Sequence, residues 1–279
     1  IVSARIAMLL GERTFQFSPV ELLTIHRRLF EGVFEHAGRI RPYNISKREW
    51  VLKGDSVIYA ACDSIKDTLE YDFYTEKQFS YEGLSLQESV KHLAKFTSDI
   101  WQIHPFCEGN TRTTAVFVIK YMKTFGLEVS NDVFAEHSWY FRNALVRANY
   151  NNLKNGIHAT TEYLELFFSN LLLNTNYELK NRFIHVDYES KLETGNIQSE
   201  MKNVLKGKNF TLNFTLEELA ILRLIAADPA ITQKEIAVKI GKSDRTVKNK
   251  MAMLQDTQYI RRMNGKRNGR WEILVELPS

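Results

Sequence analysis

One short run of the chain concentrates chemically useful residues: His104-Pro105-Phe106-Cys107-Glu108-Gly109-Asn110-Thr111-Arg112. A neutral imidazole at His104 can take a proton near pH 7, because an unperturbed histidine titrates at about 6.5. Glu108 offers the hard oxygens that Mg2+ accepts together with substrate phosphates. Gly109 lets backbone approach an anion, Asn110 can donate from its amide, and Arg112 carries a planar fork that matches phosphate. Base, metal ligand, anion cradle and cation side by side are the parts that phosphoryl-type transfer needs. Taken singly, each of these residues is also ordinary turn chemistry. Their assembly is what marks the run.

The flanking sequence fixes where the run sits. From Ser85 onward, Leu86, Val90, Leu93 and Ile100 recur at helical spacing, and Ala115 to Phe125 is apolar nearly all round. A helix apolar on every side is a buried one. The run therefore joins two helices at the N-terminus of a core helix, where unpaired N–H groups and the helix dipole favour phosphate.

Other segments read as follows. Ile6–Gly11 is a short helix closed by glycine. A second opens at Ser18-Pro19, carries Leu22, Ile25, Leu29 and Val33, and ends near Gly38, with His26 and His36 as surface or packing residues. Arg39 to Tyr59 reads as a β-hairpin punctuated by Gly54-Asp55. The pattern predicts a helix over Ile58–Leu69, a connecting loop over Tyr71–Gly83, and helices over Asp132–Tyr150, Thr160–Leu172 and Tyr177–Val186.

The run His104–Arg112 closely resembles the signature of the Fic/Doc family, His-x-Phe-x-(Asp/Glu)-Gly-Asn-(Gly/Lys)-Arg followed by x-x-Arg. That resemblance implies a helical bundle that transfers AMP from ATP, with Mg2+, to a Ser, Thr or Tyr hydroxyl of a target protein. By position, it makes His104 the general base and Phe106 a buried prop. Glu108 becomes the Mg2+ ligand, the Gly109–Asn110–Thr111 backbone the anion nest, and Arg112 a phosphate contact. Ala37-Gly38-x-x-Arg41-x-x-Asn44-Ile45-x-Lys47 resembles the family's flap, a hairpin over the active loop that pairs with an extended target segment. Lys47 and Trp50 are then contacts to target or nucleotide. The helix after the motif would lend Tyr140 and Asn143 to the nucleotide pocket. Thr111 and Ala115 depart from the pattern, Ala115 standing where the terminal Arg would hold the γ-phosphate. That departure keeps a different phosphate-linked donor open. It also keeps open a nucleotide-sensing, DNA-binding regulator with a weak or inactive core.

From Phe214 the character changes. Thr215 and Glu218 form a capping box, Thr232 caps a second helix, Gly241 turns, Ser243 caps a third, and two short strands flank Asn264–Gly269. This order resembles a winged helix-turn-helix. Its basic residues form a footprint for a phosphate backbone. Arg245, Thr246 and Asn249 are assigned to the groove, Lys248 to the same helix, and Lys266 and Arg267 to phosphates. The fold class is mainly α: a Fic-type bundle with a β-hairpin flap over 1–188, a linker over 189–211, and a small winged-helix α+β domain over 212–279. With 44% hydrophobic and 25% charged residues the composition excludes disordered and membrane-embedded classes. Two cysteines, Cys62 and Cys107, without metal-type spacing argue for a reducing compartment. No apolar run is long enough to span a membrane and Ile1–Leu10 lacks signal-peptide order, so the expectation is a cytoplasmic protein. Its expected partners are a target protein and DNA, with self-association left open.

Overall fold

A computed structural model describes residues 1–188, 214–264 and 269–277. The first five helices are α1 (Val2–Gly11), α2 (Pro19–Phe30), α3 (Ile65–Gln78), α4 (Leu86–Ile103) and α5 (Asn110–Lys123). As its sequence requires, α5 is the hub: every residue from Thr113 to Met122 is buried, and α1, α2 and α4 pack around it. Phe17, Phe73, Phe96, Phe117 and Tyr121 interlock their rings between α3, α4 and α5. Ser18 and Pro19 start α2 as read, and Ser85 with Glu88 starts α4 through a full capping box. Such a cap contributes about 1 kcal/mol and fixes where α4 begins.

Beyond α5 lie α6 (Asp132–Glu136), α7 (Ser138–Ala148), α8 (Glu162–Leu173) and α9 (Asn181–Ile184). Leu164, Phe167, Phe168 and Leu171 face inward from α8 as expected. The helix expected over Asp132–Tyr150 is broken at His137, whose backbone is non-helical. In the segment expected to be helical over Tyr177–Val186, residues 177–180 are irregular, α9 follows, and a bend at His185 separates it from helical residues 186–188.

Three other expectations are corrected. Tyr71 to Gln78 is not loop but the second half of α3: Ile65, Leu69, Phe73 and Glu76 make its buried stripe while Tyr71 and Tyr74 face solvent. Residues 56–61 are irregular rather than helical, and α3 begins only at Ile65. α2 stops at Phe30, so Val33 falls outside its stripe and is exposed. Between Arg39 and Tyr59 the chain doubles back as a hairpin does, but without a strand ladder. Its arms are joined by Ser46 Oγ donating to Ser56 Oγ (3.0 Å), Lys47 N–H to the same Oγ (3.3 Å) and Glu49 N–H to the Asp55 carbonyl (2.9 Å). A 3₁₀ turn, Trp50–Leu52, forms the tip. Side-chain hydroxyls have taken the places that ladder bonds would fill.

The C-terminal part comprises α10 (Leu216–Ala227), α11 (Gln233–Ile240), α12 (Asp244–Asp256) and the antiparallel pair β1 (Ile260–Met263) and β2 (Arg270–Ile273), with Ile260 opposite Ile273. Thr215 and Thr232 make capping boxes with Glu218 and Glu235, and Ser243 caps α12. The Trp271 indole donates to the Ile231 carbonyl at 3.2 Å and seats the strands on the helices. Arg223 Nη2 donates to the Leu172 carbonyl at 2.7 Å, so α10 touches the end of α8. The expected linker, 189–211, and the wing residues Lys266 and Arg267 lie outside the described residues. Among the described residues no helix is long and apolar enough to cross a membrane.

Candidate active site

His104 caps the C-terminus of α4 in the left-handed conformation (φ 50°, ψ 57°), which an L-residue adopts only when its surroundings hold it there. The holder is Arg41, only 1% exposed. Its Nε donates to the His104 carbonyl (2.8 Å) and its Nη1 to the Tyr43 carbonyl (2.7 Å), while Nη2 reaches the Ala60 carbonyl. Arg41 N–H also donates to the Pro105 carbonyl at 2.9 Å. One buried guanidinium thus fixes the backbone of His104 and the root of the hairpin together.

The imidazole is 3% exposed, with the Tyr59 ring at 4.2 Å and the Trp101 ring edge-on at 5.1 Å. Its Nδ1 lies 3.2 Å from the Trp101 carbonyl. A carbonyl can only accept, so Nδ1 carries the proton and Nε2 presents a lone pair. Burial, reinforced by the positive charge of Lys47, pulls the His104 pKa down to about 3. The ring is neutral at physiological pH and ready to accept.

The loop that follows is closed by its own side chains. Asn110 Oδ1 accepts from Phe106 N–H (3.0 Å) and Asn110 Nδ2 donates to the Phe106 carbonyl (2.7 Å). The Asn110 amide, expected to serve a ligand, is engaged within the loop, while the backbone N–H of Asn110 stands at the start of the helix. Phe106 is buried as a prop, stacked on His26 at 3.7 Å. Gly109 (φ 82°) caps α5 without a side chain, and the first helical acceptor, Gly109 O, is used by Thr113 N–H at 3.0 Å. The N–H groups of Asn110, Thr111 and Arg112 consequently have no partner within the helix. Thr111 Oγ1 accepts from the Trp101 indole at 3.0 Å, and exposed Arg112 stands 5.4 Å from the Phe30 ring centroid.

Glu108 points outward with a side chain 61% exposed, and Lys47 Nζ from the hairpin reaches to 3.5 Å of its Oε2. So Lys47, His104, Glu108 and the α5 N-terminus come together as expected. Among the described residues no group of three His, Cys, Asp or Glu side chains forms a cage for a metal. One accessible carboxylate beside an anion nest does fit Mg2+, which is held by one or two carboxylates plus phosphates.

Other expected contacts lie elsewhere. Tyr140 is buried next to Tyr163 of α8, and burial pushes its phenol pKa up. Asn143 is fully buried and donates to Asn181 Oδ1 of α9 at 2.7 Å. Both are interior residues of the α7–α8–α9 packing, because the polar face of α7 turns inward there. Trp50 is 51% exposed at the hairpin tip, with its ring 4.8 Å from His185.

Sequence reading passed over three positioning groups. Arg41 and His26 are two; the third is Glu49, buried and bidentate to Arg142 (2.5 and 2.8 Å), with the Tyr59 hydroxyl at 3.4 Å. The available signals were a histidine inside the apolar stripe of α2, between Ile25 and Leu29, and Arg41 within the pattern that resembles the flap.

On α12, Val247, Met251 and Leu254 face inward while Arg245, Lys248 and Asn249 are exposed. Thr246 is half-buried, with its hydroxyl 2.9 Å from Ser243 Oγ. Lys250 turns away from this face toward Glu218 at 3.8 Å.

Residues 16–122 match the Fic/DOC family, and residues 218–261 match winged helix-turn-helix DNA-binding domains. A protein adenylyltransferase of Bartonella henselae is 25% identical over 195 residues, 64% of this chain and 36% of that protein. Protein adenylyltransferase VbhT of Bartonella schoenbuchensis is 22% identical over 244 residues, 79% of this chain and 50% of that protein. The chain thus spans between about a third and a half of the length of these curated relatives. The crystal structure of BepC from Bartonella tribocorum with bound AMPPNP is similar at 22% identity and TM-score 0.48, covering 61% of this chain and 81% of that one.

Proposed function

From the Fic/DOC-family domain formed by residues 16–122, we propose that the protein moves AMP from ATP to a Ser, Thr or Tyr hydroxyl of a target protein. His104 takes the hydroxyl proton at Nε2. The hydroxyl oxygen bonds to the α-phosphorus, the bond from that phosphorus to the bridging oxygen breaks, and pyrophosphate leaves. Backbone N–H groups from Gly109 to Arg112, with the Arg112 guanidinium, hold the phosphates. Glu108 is the residue that would hold Mg2+, which supplies further charge neutralisation there. Lys47 and the hairpin lie on the side from which a target segment enters. The observation that carries this reading is the bare Nε2 of a neutral, buried His104 beside an uncapped core-helix N-terminus.

The names of the two adenylyltransferase relatives support the choice of AMP. Incubation with α-labelled ATP, Mg2+ and cell lysate tests it: a protein band becomes labelled with the wild-type chain and not with His104→Ala. Nucleotide binding without any labelled protein overturns it.

The reading places a nucleotide-handling part in 1–188, a linker in 189–211 and a DNA-contacting module in 212–279, in a cytoplasmic protein. Arg245, Lys248 and Asn249 would meet DNA, joined by Thr246 and by Lys266 and Arg267. A second reading, a nucleotide-sensing transcriptional regulator, is favoured by Ala115 at the place of a second arginine and by the exposed basic face of α12. Duplex binding that changes with nucleotide while no protein is labelled selects it.

A further inference from the structure

We propose that His26 is a positioning residue of the anion loop: it fixes the plane of the Glu108–Gly109 peptide and thereby aims the first N–H of the nest. His26 is fully buried on α2, far from the loop in sequence. Gly38 N–H lies 2.8 Å from its Nδ1, and a backbone N–H can only donate, so Nδ1 carries the lone pair. The neutral ring then has its proton on Nε2, which donates to the Glu108 carbonyl at 2.9 Å. Both nitrogens are used, each for a different strand of backbone.

The consequence follows from peptide geometry. The 108–109 bond is trans and planar, so its carbonyl and its N–H point in opposite directions. Drawing the Glu108 oxygen inward to His26 turns the Gly109 N–H outward, to where the N–H groups of Asn110, Thr111 and Arg112 are also unpartnered. Phe30 closes the other side: a Cβ on Gly109 would lie 2.4 Å from Phe30 Cε2. The same imidazole holds Gly38, from which the chain runs to Arg41 and its bonds to His104 and Pro105. His26 therefore ties the acid end of the loop to the segment that holds the base end. Stacking on Phe106 alone would be met by phenylalanine; the two hydrogen bonds are what call for histidine.

The inference rests on the proposed function only in taking ATP as the anion, and the test separates the two. His26→Phe keeps the stack and removes both bonds. His26→Gln keeps a donor near the Nε2 position for Glu108, and His26→Asn keeps an acceptor near the Nδ1 position for Gly38. By calorimetry with ATP and Mg2+, His26→Phe and His26→Asn should bind about 10–100-fold more weakly, the effect of losing one hydrogen bond to a charged group. His26→Gln should stay within about 3-fold of wild type, the margin left by imperfect mimicry of the ring. Equal ATP affinity in all four proteins, or Gln and Asn affected alike, overturns the proposal whatever happens to thermal stability. Amide exchange reads the geometry without ligand: Gly38 should be protected in wild type and His26→Asn and open in His26→Phe and His26→Gln, and an unprotected wild-type Gly38 overturns the assignment. If wild type binds ATP but labels no protein, the AMP-transfer reading fails while the affinity series still decides the role of His26.

Discussion

Gly109→Ala offers the sharpest test of how the loop is held. Two separate penalties meet there. At φ 82° the backbone is left-handed, which costs an L-residue about 1–2 kcal/mol. The new methyl would also lie 2.4, 2.6 and 3.1 Å from three atoms of the Phe30 ring. That ring is fully buried and packed on His26 and Phe34, so it cannot rotate away cheaply. Overpacking of this kind costs about 1–3 kcal/mol more. The sum, about 2–5 kcal/mol, lowers Tm by roughly 4–20 °C for a cooperative unit of 150–250 residues.

Gly156 supplies the control. It too is left-handed (φ 69°), but nothing lies within 4 Å of its added Cβ. Gly156→Ala should therefore show the strain alone, roughly 2–8 °C. Thermal unfolding followed by differential scanning calorimetry measures both. Adding Phe30→Leu should recover about 1–2 kcal/mol in the Gly109→Ala background relative to additivity. If Gly109→Ala costs no more than Gly156→Ala, or if Phe30→Leu adds independently, the loop is not seated on Phe30 as described.

The pH dependence of stability follows from His104. Its folded-state pKa, about 3, is below the unfolded value near 6.5, so between these limits the unfolded chain binds more protons. Stability from this group is complete above about pH 6.5 and is lost as pH falls toward 3. Denaturant titrations across that window should show the loss, and His104→Gln should reduce it, leaving the part that comes from His26, whose pKa burial lowers to about 4. In kinetics, the acid limb of kcat, which reports nucleotide-bound enzyme, should lie at higher pH than that of kcat/KM; coincident limbs would mean that the bound phosphates do not make His104 more basic. Glu49→Ala leaves the Arg142 guanidinium without its buried partner and should cost about 2–4 kcal/mol, with amide exchange at Val51 and Leu52 accelerating; unchanged exchange there would mean the pair does not pin the hairpin. Lys248→Glu should weaken duplex DNA binding in a salt-dependent way, whereas Lys250→Glu should lower stability by setting a like charge against Glu218; the reverse pattern would reassign the DNA face.

What could be read in advance was local. Ser18, Ser85, Thr215, Thr232 and Ser243 announced their helices because a cap is a contact between near neighbours in sequence. The buried α5 and the run before it were legible for the same reason, as periodicity and spacing. The second half of α3 was missed because its inward stripe is sparse and ends in a glutamate, while Tyr71 and Tyr74 lie on its outer face. Glu76 can be buried because the Tyr81 and Tyr121 hydroxyls and His92 all bond it, partners up to 45 positions away. Asn110 could not be assigned from its type, since an amide in a turn serves a ligand and a loop equally well. Nor could Arg41, whose acceptors at residues 60 and 104 are brought together by the fold alone.

The arrangement of these hidden residues explains why the visible ones are left available. His26, Arg41 and Asn110 are all buried, and all bond to main chain at Glu108, His104 and Phe106. Backbone groups facing the interior are satisfied by side chains the motif does not contain or does not advertise. His104 Nε2, though buried, and the α5 N–H groups are then left without an internal partner, and the exposed Glu108 carboxylate meets only Lys47. That exposes a tension, because burial keeps His104 a weak base and Lys47 weakens it further. A bound nucleotide brings negative charge to the same place as Lys47 and offsets the second cause while leaving the first. The imidazole would thus become more basic when the phosphates arrive, which ties proton acceptance to the presence of the donor.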